Sequence, residues 1–288
     1  MGINGFLLID KDKDWTSRDV CNKISRLFNI KKVGHIGTLD PFATGLMIVA
    51  LGEATKCLPY ISDDKKRYVA TLKLGEKTST GDLTGNLVET KDIPLLNEEK
   101  IKKVLSSFLG KSRQTPPMCS AIHYNGQKLY TLYQQGIEVD VPSREIEIYD
   151  INFISYINNE IKFEVLVSKG TYIRTLGEDI ASKLNTVGHL IDLRRTQINE
   201  INVEMSIKIN QIDNKHITSV NDMMINFLPL HMVDKKAALD VKNGIDLSLE
   251  INSEKVLIIN ENKTPIAFYG KIDNNKYHCL RGLNIENN

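Results

Sequence analysis

Apolar positions recur at two spacings along this chain, and each spacing predicts a kind of element. In "TSRDVCNKISRLF", residues 16–28, Val20, Ile24, Leu27 and Phe28 fall three or four apart, the period of one helix face. Thr16 and Asp19 stand where a capping box would close the first turn. A second helix is predicted from Asn97, with Glu98 and Glu99 behind it and Ile101, Val104, Leu105 and Phe108 on one side. Ile173, Leu176, Ile180 and Leu184 mark a third, directly after Gly170. A period of two appears elsewhere. "RYVATLKLG" at 67–75 sets Tyr68, Ala70, Leu72 and Leu74 on one face, and "EIKFEVLVSKG" at 160–170 does the same with Ile161, Phe163, Val165 and Val167. "GLMIVALG" at 45–52 is apolar throughout and bounded by glycines, which suits a buried strand. "EATKCLPYI" at 53–61 predicts a short helix limited by Pro59, and "TSTGDLTGN" at 78–86 a loop.

Composition then divides the chain. Its 288 residues are 41% hydrophobic and 25% charged, enough apolar content for a core. Residues 1–225 carry the strong periodic elements. Residues 226–288 are rich in Asn and Lys, with short apolar runs such as "KVLII" and "PIAFYG", and predict a small β-rich C-terminal domain. The apolar runs "FLLI" at 6–9 and 45–51 are too short for a signal core or a bilayer span, so the expectation is a cytoplasmic protein without membrane contact. Cys21, Cys57, Cys119 and Cys279 are scattered, which argues against a zinc site or disulfide framework. The six histidines show no ligand spacing, so no metal is expected.

Net charge is +1, which does not advertise a nucleic-acid binder. It leaves three compact basic groups, Lys31-Lys32, Lys65-Lys66-Arg67 and Arg194-Arg195. "DKDKDW" fails as a calcium loop, because Trp15 occupies the sharp-turn glycine position. "GEKTSTG" lacks the Gly-Lys-Ser/Thr of a phosphate loop. One stretch stands out. In "GHIGTLDPFATGLMIVALGEATK", Asp40 precedes Pro41 in a glycine-spaced turn, just before the apolar run. Pro41 biases Asp40 toward extended backbone. On these residues alone Asp40 is a turn former bonded to a nearby N–H, or a catalytic carboxylate.

"GHIGTLDPFATG" resembles the aspartate motif of the TruB family of RNA pseudouridine synthases. "LLIDKDKDWTS", "GEATK", "KRYVATLKLG", "TSTGDLTG", "QTPPMCSAIHYNGQKLY", "SKGTYIRTLGEDI" and "HLIDLRRT" resemble further blocks of that family, in family order. The likeness spans most of residues 3–200. Ala43, where the guide-RNA branch usually has Val, points to the bacterial branch. Three places depart from the family pattern: Asp12 and Asp14 stand where Pro and Gly are usual, Cys119 replaces an aromatic, and Asn199-Glu200 replace a Ser-Gly-like turn.

The resemblance implies isomerisation of uridine to pseudouridine at position 55, in the T-arm of tRNA, with no cofactor and no metal. It implies Asp40 as the catalytic carboxylate, either nucleophile at the anomeric carbon or base at the adjacent carbon. Arg174 would hold Asp40 ionised, and Tyr68 would stack on the target base. His35 would fill the space left by the flipped base, Asp82 would lie near the substrate, and Tyr172 and Leu193 would line the pocket. The basic groups would bind phosphates. The implied fold is α+β: a mixed, mostly antiparallel central sheet with flanking helices, plus a PUA-like C-terminal RNA-binding domain at 226–288. The implied partner is tRNA, bound by a monomer without guide RNA. A second reading is a tRNA-folding factor whose isomerase activity is secondary or absent, and a third keeps the enzyme but gives it another structured stem-loop as substrate.

Overall fold

The computed structural model describes residues 2–285. In chain order its strands are β1 (Gly5–Lys11), β2 (Val33–Ile36), β3 (Thr44–Leu51), β4 (Lys65–Leu74), β5 (Glu76–Thr78), β6 (Leu87–Thr90), β7 (Gly110–Gln114), β8 (His123–Tyr124), β9 (Gln127–Lys128) and β10 (Arg144–Ile157). They continue with β11 (Glu160–Ser168), β12 (Gly188–Ile198), β13 (Ile201–Asn202), β14 (Ile207–Lys208), β15 (Leu230–Val233), β16 (Leu247–Ser248), β17 (Lys255–Asn260), β18 (Pro265–Asp273) and β19 (Lys276–Gly282). The helices are α1 (Ser17–Leu27), α2 (Glu98–Ser106), α3 (Leu129–Gln134), α4 (Ile173–Lys183), α5 (Val220–Met224) and α6 (Lys235–Lys242). They form an α+β architecture whose largest sheet is mixed and mostly antiparallel. Two compact units divide it. One comprises Met1–Pro41, Leu46–Asp63 and Asn202–Asn288; the other comprises Phe42–Gly45 and Asp64–Ile201.

In the first unit the strand order is β14-β1-β3, with β2 antiparallel on β3. The capping box of α1 forms in both directions between Thr16 and Asp19. Its apolar face differs from the expected stripe at one end. Val20 and Ile24 are buried, joined by Cys21, while Leu27 is 50% exposed in the last turn. "GEATKCLPY" winds as a 3₁₀ run over Gly52–Tyr60, with Pro59 inside it. The C-terminal residues build a separate small sheet, β15-β17-β18-β19-β16, around Val233, Val241, Val256, Ile258, Ala267, Tyr269 and Tyr277. The phenol of Tyr269 donates to the Ile245 carbonyl and that of Tyr277 to Ile251 and Ser253, so both buried hydroxyls are satisfied. Phe268 of this sheet stacks on Tyr60, rings 3.9 Å apart.

In the second unit the order is β12-β4-β11-β10-β7, every pair antiparallel. The expected faces are the buried ones: Tyr68, Ala70, Leu72 and Leu74 on β4, and Ile161, Phe163, Val165 and Val167 on β11. α2 begins at the expected cap, with Asn97 accepting the Lys100 N–H. The longest strand, β10, has 14 residues, and no two-residue period announces it over its full length. Register shifts at Ile148/Asp150 and Phe153/Ser155 break the alternation. The expected loop at 78–86 is the tip of a hairpin, β5-β6. Among the described residues no helix is long and apolar enough to cross a membrane.

Candidate active site

Asp40 sits, half-buried, in the connection from β2 to β3, and both its chain neighbours are tied to one upstream segment. Leu39 N–H donates to Ser17 Oγ at 2.9 Å, and Ser17 Oγ reaches the Leu39 carbonyl at 3.2 Å. On the other side the Pro41 carbonyl accepts from Asp14 N–H at 2.8 Å and from Lys11 Nζ at 3.1 Å. Lys11 is wholly buried and also donates to the Asp12 and Trp15 carbonyls. A lysine without such acceptors would be too costly to bury. Residues 11–17 therefore clamp the peptide units that flank Asp40. This explains how the chain tolerates its departures here. Asp14 adopts the left-handed backbone, φ 65°, which a glycine would take at lower cost. Asp12 pairs with Lys208 Nζ at 2.6 Å. His35 lies on β2 opposite Val49.

In the second unit Arg174 occupies the first turn of α4 and is almost entirely buried. Its Nη1 donates to the Thr80 carbonyl at 2.9 Å and its Nη2 to the Cys119 carbonyl at 2.8 Å. Asp82 Oδ2 lies 3.7 Å from Nη1. The other oxygen, Oδ1, accepts from Thr80 Oγ1, Thr84 N–H and Thr84 Oγ1 at 2.8, 2.9 and 2.5 Å. The "TSTGDLT" loop thus wraps its own hydroxyls round Asp82 and presents the free edge to the arginine. Gly85 permits this, because a Cβ there would sit 2.5 Å from Thr80 Oγ1. One helical turn beyond Arg174, burial raises the Glu178 carboxyl above its ordinary pKa, with Lys77 Nζ 3.9 Å away opposing the shift.

Tyr68 is buried on β4, between Val165 of β11 and Arg195 of β12 in register. Leu193, on the same inward face of β12, pairs with Ala70. Thr44 and Gly45 run parallel to Arg194 and Arg195. At Gly45, φ 107°, a Cβ would lie 2.2 Å from the Arg195 carbonyl oxygen, so only glycine fits this approach. Tyr172 is the residue before α4, with its backbone held by the buried Gln114. The structure therefore brings Arg174 together with Asp82, sets Tyr172 two residues before it, and puts Tyr68 and Leu193 at buried positions of the paired strands β4 and β12. His35 and Asp40 belong to the other unit.

Two of the three basic groups are partly withdrawn from solvent, while Lys31 and Lys32 are exposed. Arg195 is 0% exposed and Lys66 is buried. Arg67 is neutralised by Asp150 at 3.2 Å and Glu164 at 2.8 Å. Lys65 remains exposed, its ammonium over the Tyr149 ring. On a strand, consecutive residues point to opposite faces, so a run of cations cannot all face solvent. Burial pushes the Cys21 thiol to about 11 and the Cys57 thiol to about 12, which keeps both protonated and inert. Among the described residues no group of three or more His, Cys, Asp or Glu side chains is placed to hold a metal ion.

The family description "TruB family pseudouridylate synthase (N terminal domain)" matches residues 25–173, more than half the chain. The chain belongs to the TruB family. The matched stretch contains Asp40, Tyr68, Asp82 and Tyr172 and stops one residue short of Arg174. Among TruB relatives, the tRNA pseudouridine synthase B of Hydrogenovibrio crunogenus is 44% identical over 211 residues, 73% of this chain and 70% of that protein. The tRNA pseudouridine synthase B of Mesoplasma florum is 35% identical over 287 residues, 99% of this chain and 100% of that protein. A crystal structure of a Cbf5-Nop10-Gar1 complex superimposes with a TM-score of 0.70 at 24% identity, over 98% of this chain and 84% of that one. An H/ACA RNP bound to a substrate RNA containing 2'-deoxyuridine gives 0.71 at 22%, over 98% and 85%. At that identity these two structures establish the fold alone: the pseudouridine synthase fold with a PUA-like C-terminal sheet.

Sequence reasoning does not single out Lys11, Ser17, Gln114 or the Thr80–Thr84 pair. The first two fall within or beside "LLIDKDKDWTS", and a lysine between aspartates reads as solvated. Gln114 follows three polar residues on an edge strand. What could find it is position, since it closes that strand directly before Thr115-Pro116-Pro117, where the chain must turn.

Proposed function

We propose that this TruB protein isomerises uridine to pseudouridine at position 55, in the T-arm of tRNA. The observation that carries this reading is the full-length match to a relative named tRNA pseudouridine synthase B, 35% identical end to end. Asp40 attacks the anomeric carbon or removes the adjacent sugar proton; the C1'–N1 bond breaks, and uracil leaves as an anion. The base turns while bound, and C5 bonds to C1' as the Asp40 carboxylate is displaced from that carbon or as the sugar proton is returned; the C5 proton is then lost as N1 gains one. Atoms balance without a co-reactant. Arg174 keeps Asp40 ionised against burial, which favours the neutral acid. A guanidinium held by two carbonyls and Asp82 is already ordered for that task.

Tyr68 stacks on the uracil, and Tyr172 and Leu193 close the pocket. His35 takes the place of the flipped base, whose extraction costs roughly a few kcal/mol. We assign residues 1–225 to catalysis and 226–288 to RNA contact, in a cytoplasmic monomer that works without guide RNA. The test is pseudouridine mapping of an unmodified tRNA transcript with wild type and Asp40→Asn, tRNA binding being measured alongside. Wild type should modify position 55, and Asp40→Asn should bind without reacting. A wild type that binds and modifies nothing overturns the proposal in favour of a folding factor, with Asp40 a turn residue.

A further inference from the structure

Gln114 ends β7 and is 5% exposed. Its amide meets the Tyr172 backbone twice. Oε1 accepts the Tyr172 N–H at 2.8 Å, and Nε2 donates to the Tyr172 carbonyl at 3.1 Å. The side chain thus pairs with Tyr172 as a neighbouring strand residue would. Tyr172 has no side-chain cap bond to offer α4, and its carbonyl accepts the first intrahelical N–H, from Leu176, at 3.0 Å. Gln114 is therefore bonded to the group that starts the helix. Arg174 lies two residues on, in the turn where a helix is least constrained because its first N–H groups lack intrahelical acceptors. Five residues after Gln114, the Cys119 carbonyl takes Arg174 Nη2. Residues 114 and 119 grip the start of α4 at two points.

We infer that Gln114 is a positioning residue for Arg174: it sets where α4 begins and, with the Cys119 carbonyl, where the guanidinium comes to rest. This rests on the reading of Arg174 as part of the reacting site. The chemistry selects the side chain. Only a primary amide offers a donor and an acceptor side by side; a carboxylate supplies two acceptors and would oppose the Tyr172 carbonyl. Asparagine carries the same amide one carbon short of this reach.

The test uses the full-length protein with Gln114→Met, which removes both bonds at similar volume, and Gln114→Glu, which keeps the acceptor for Tyr172 N–H. Each is made alone and with Arg174→Lys. The kcat for pseudouridine formation and the KM for tRNA are measured, and hydrogen exchange is followed over residues 171–176. Gln114→Met should lower kcat about 10- to 100-fold, the scale of a misplaced reacting group, and leave KM within about twofold. Gln114→Glu should fall between. In the Arg174→Lys background Gln114→Met should cost little more, because both changes act through one guanidinium. Exchange over 171–176 should quicken in Gln114→Met. A full kcat in Gln114→Met, a loss carried by KM, or fully additive losses overturn the inference. If wild type makes no pseudouridine, the functional reading fails and exchange decides: quickened exchange sustains the positioning role, and unchanged exchange overturns it.

Discussion

Glu53, in "GEATK", offers the most quantitative test of how this chain holds its C-terminal end. Its carboxylate meets Lys32 Nζ at 2.8 Å, Lys56 Nζ at 2.6 Å and the Asn284 N–H at 3.2 Å. The two ammonium groups and that N–H hold its pKa at about 2, against an ordinary 4.5. The folded pKa is depressed, so the stabilisation is complete above 4.5 and disappears as pH falls from there to about 2. A gap of that size has a ceiling of about 3 kcal/mol. Glu53 is only 15% exposed, but Lys32 is 64% exposed and its share is screened by water and salt. We therefore expect Glu53→Gln to cost about 1–2 kcal/mol at pH 7. The assay is urea unfolding of wild type and Glu53→Gln at pH 7, 5 and 3, at low and high salt. The difference should hold from pH 7 to 5, shrink toward pH 3, and fall with salt. A difference that is absent at pH 7, or that persists undiminished at pH 3, refutes the ion-pair account.

Two further substitutions probe the surroundings of the site. Gly45→Ala should lower stability by about 3 kcal/mol or more, because the new Cβ meets the Arg195 carbonyl and the backbone holds φ 107°; an unchanged melting temperature would show that β3 can draw away from β12. Ser120→Ala should be neutral or stabilising by up to about 1 kcal/mol, since Ser120 Oγ is buried without a hydrogen-bond partner among the described residues. A loss above about 1 kcal/mol in calorimetry would mean that the hydroxyl is satisfied in solution.

The elements that were legible in the sequence are those whose period survives intact. β4 and β11 bury one face without a break, and α4 and α2 follow their apolar stripes. β10 is hidden because two register shifts interrupt it, so residues such as Tyr149 and Ile154 fall out of phase and are exposed. Leu27 shows the converse. It fits the helical period of α1, yet it stands in the last turn, where Arg26 and the exit of the chain leave it in solvent. A period states which residues share a face; it does not state how far along the helix that face is covered.

Around Arg174, the motif blocks mark the arginine and Asp82, while the groups that bond the guanidinium most closely are backbone carbonyls that no side-chain pattern displays. Arg174 is held by Thr80 and Cys119 through their main chain, which is why a cysteine can stand at 119 in place of an aromatic without removing that bond. Lys66 and Arg195 are buried for a reason the sequence contains. Leu193 and Arg195 are two apart on β12, as Lys66 and Tyr68 are on β4, and the same alternation that turns Leu193 and Tyr68 inward turns Arg195 and Lys66 with them. Counting cations by adjacency treats a strand as if it had one face. Counting them by parity leaves Lys65 outward and Arg67 tied to Asp150 and Glu164. The surface at β4 therefore offers far less positive charge to solvent than the triplet suggests.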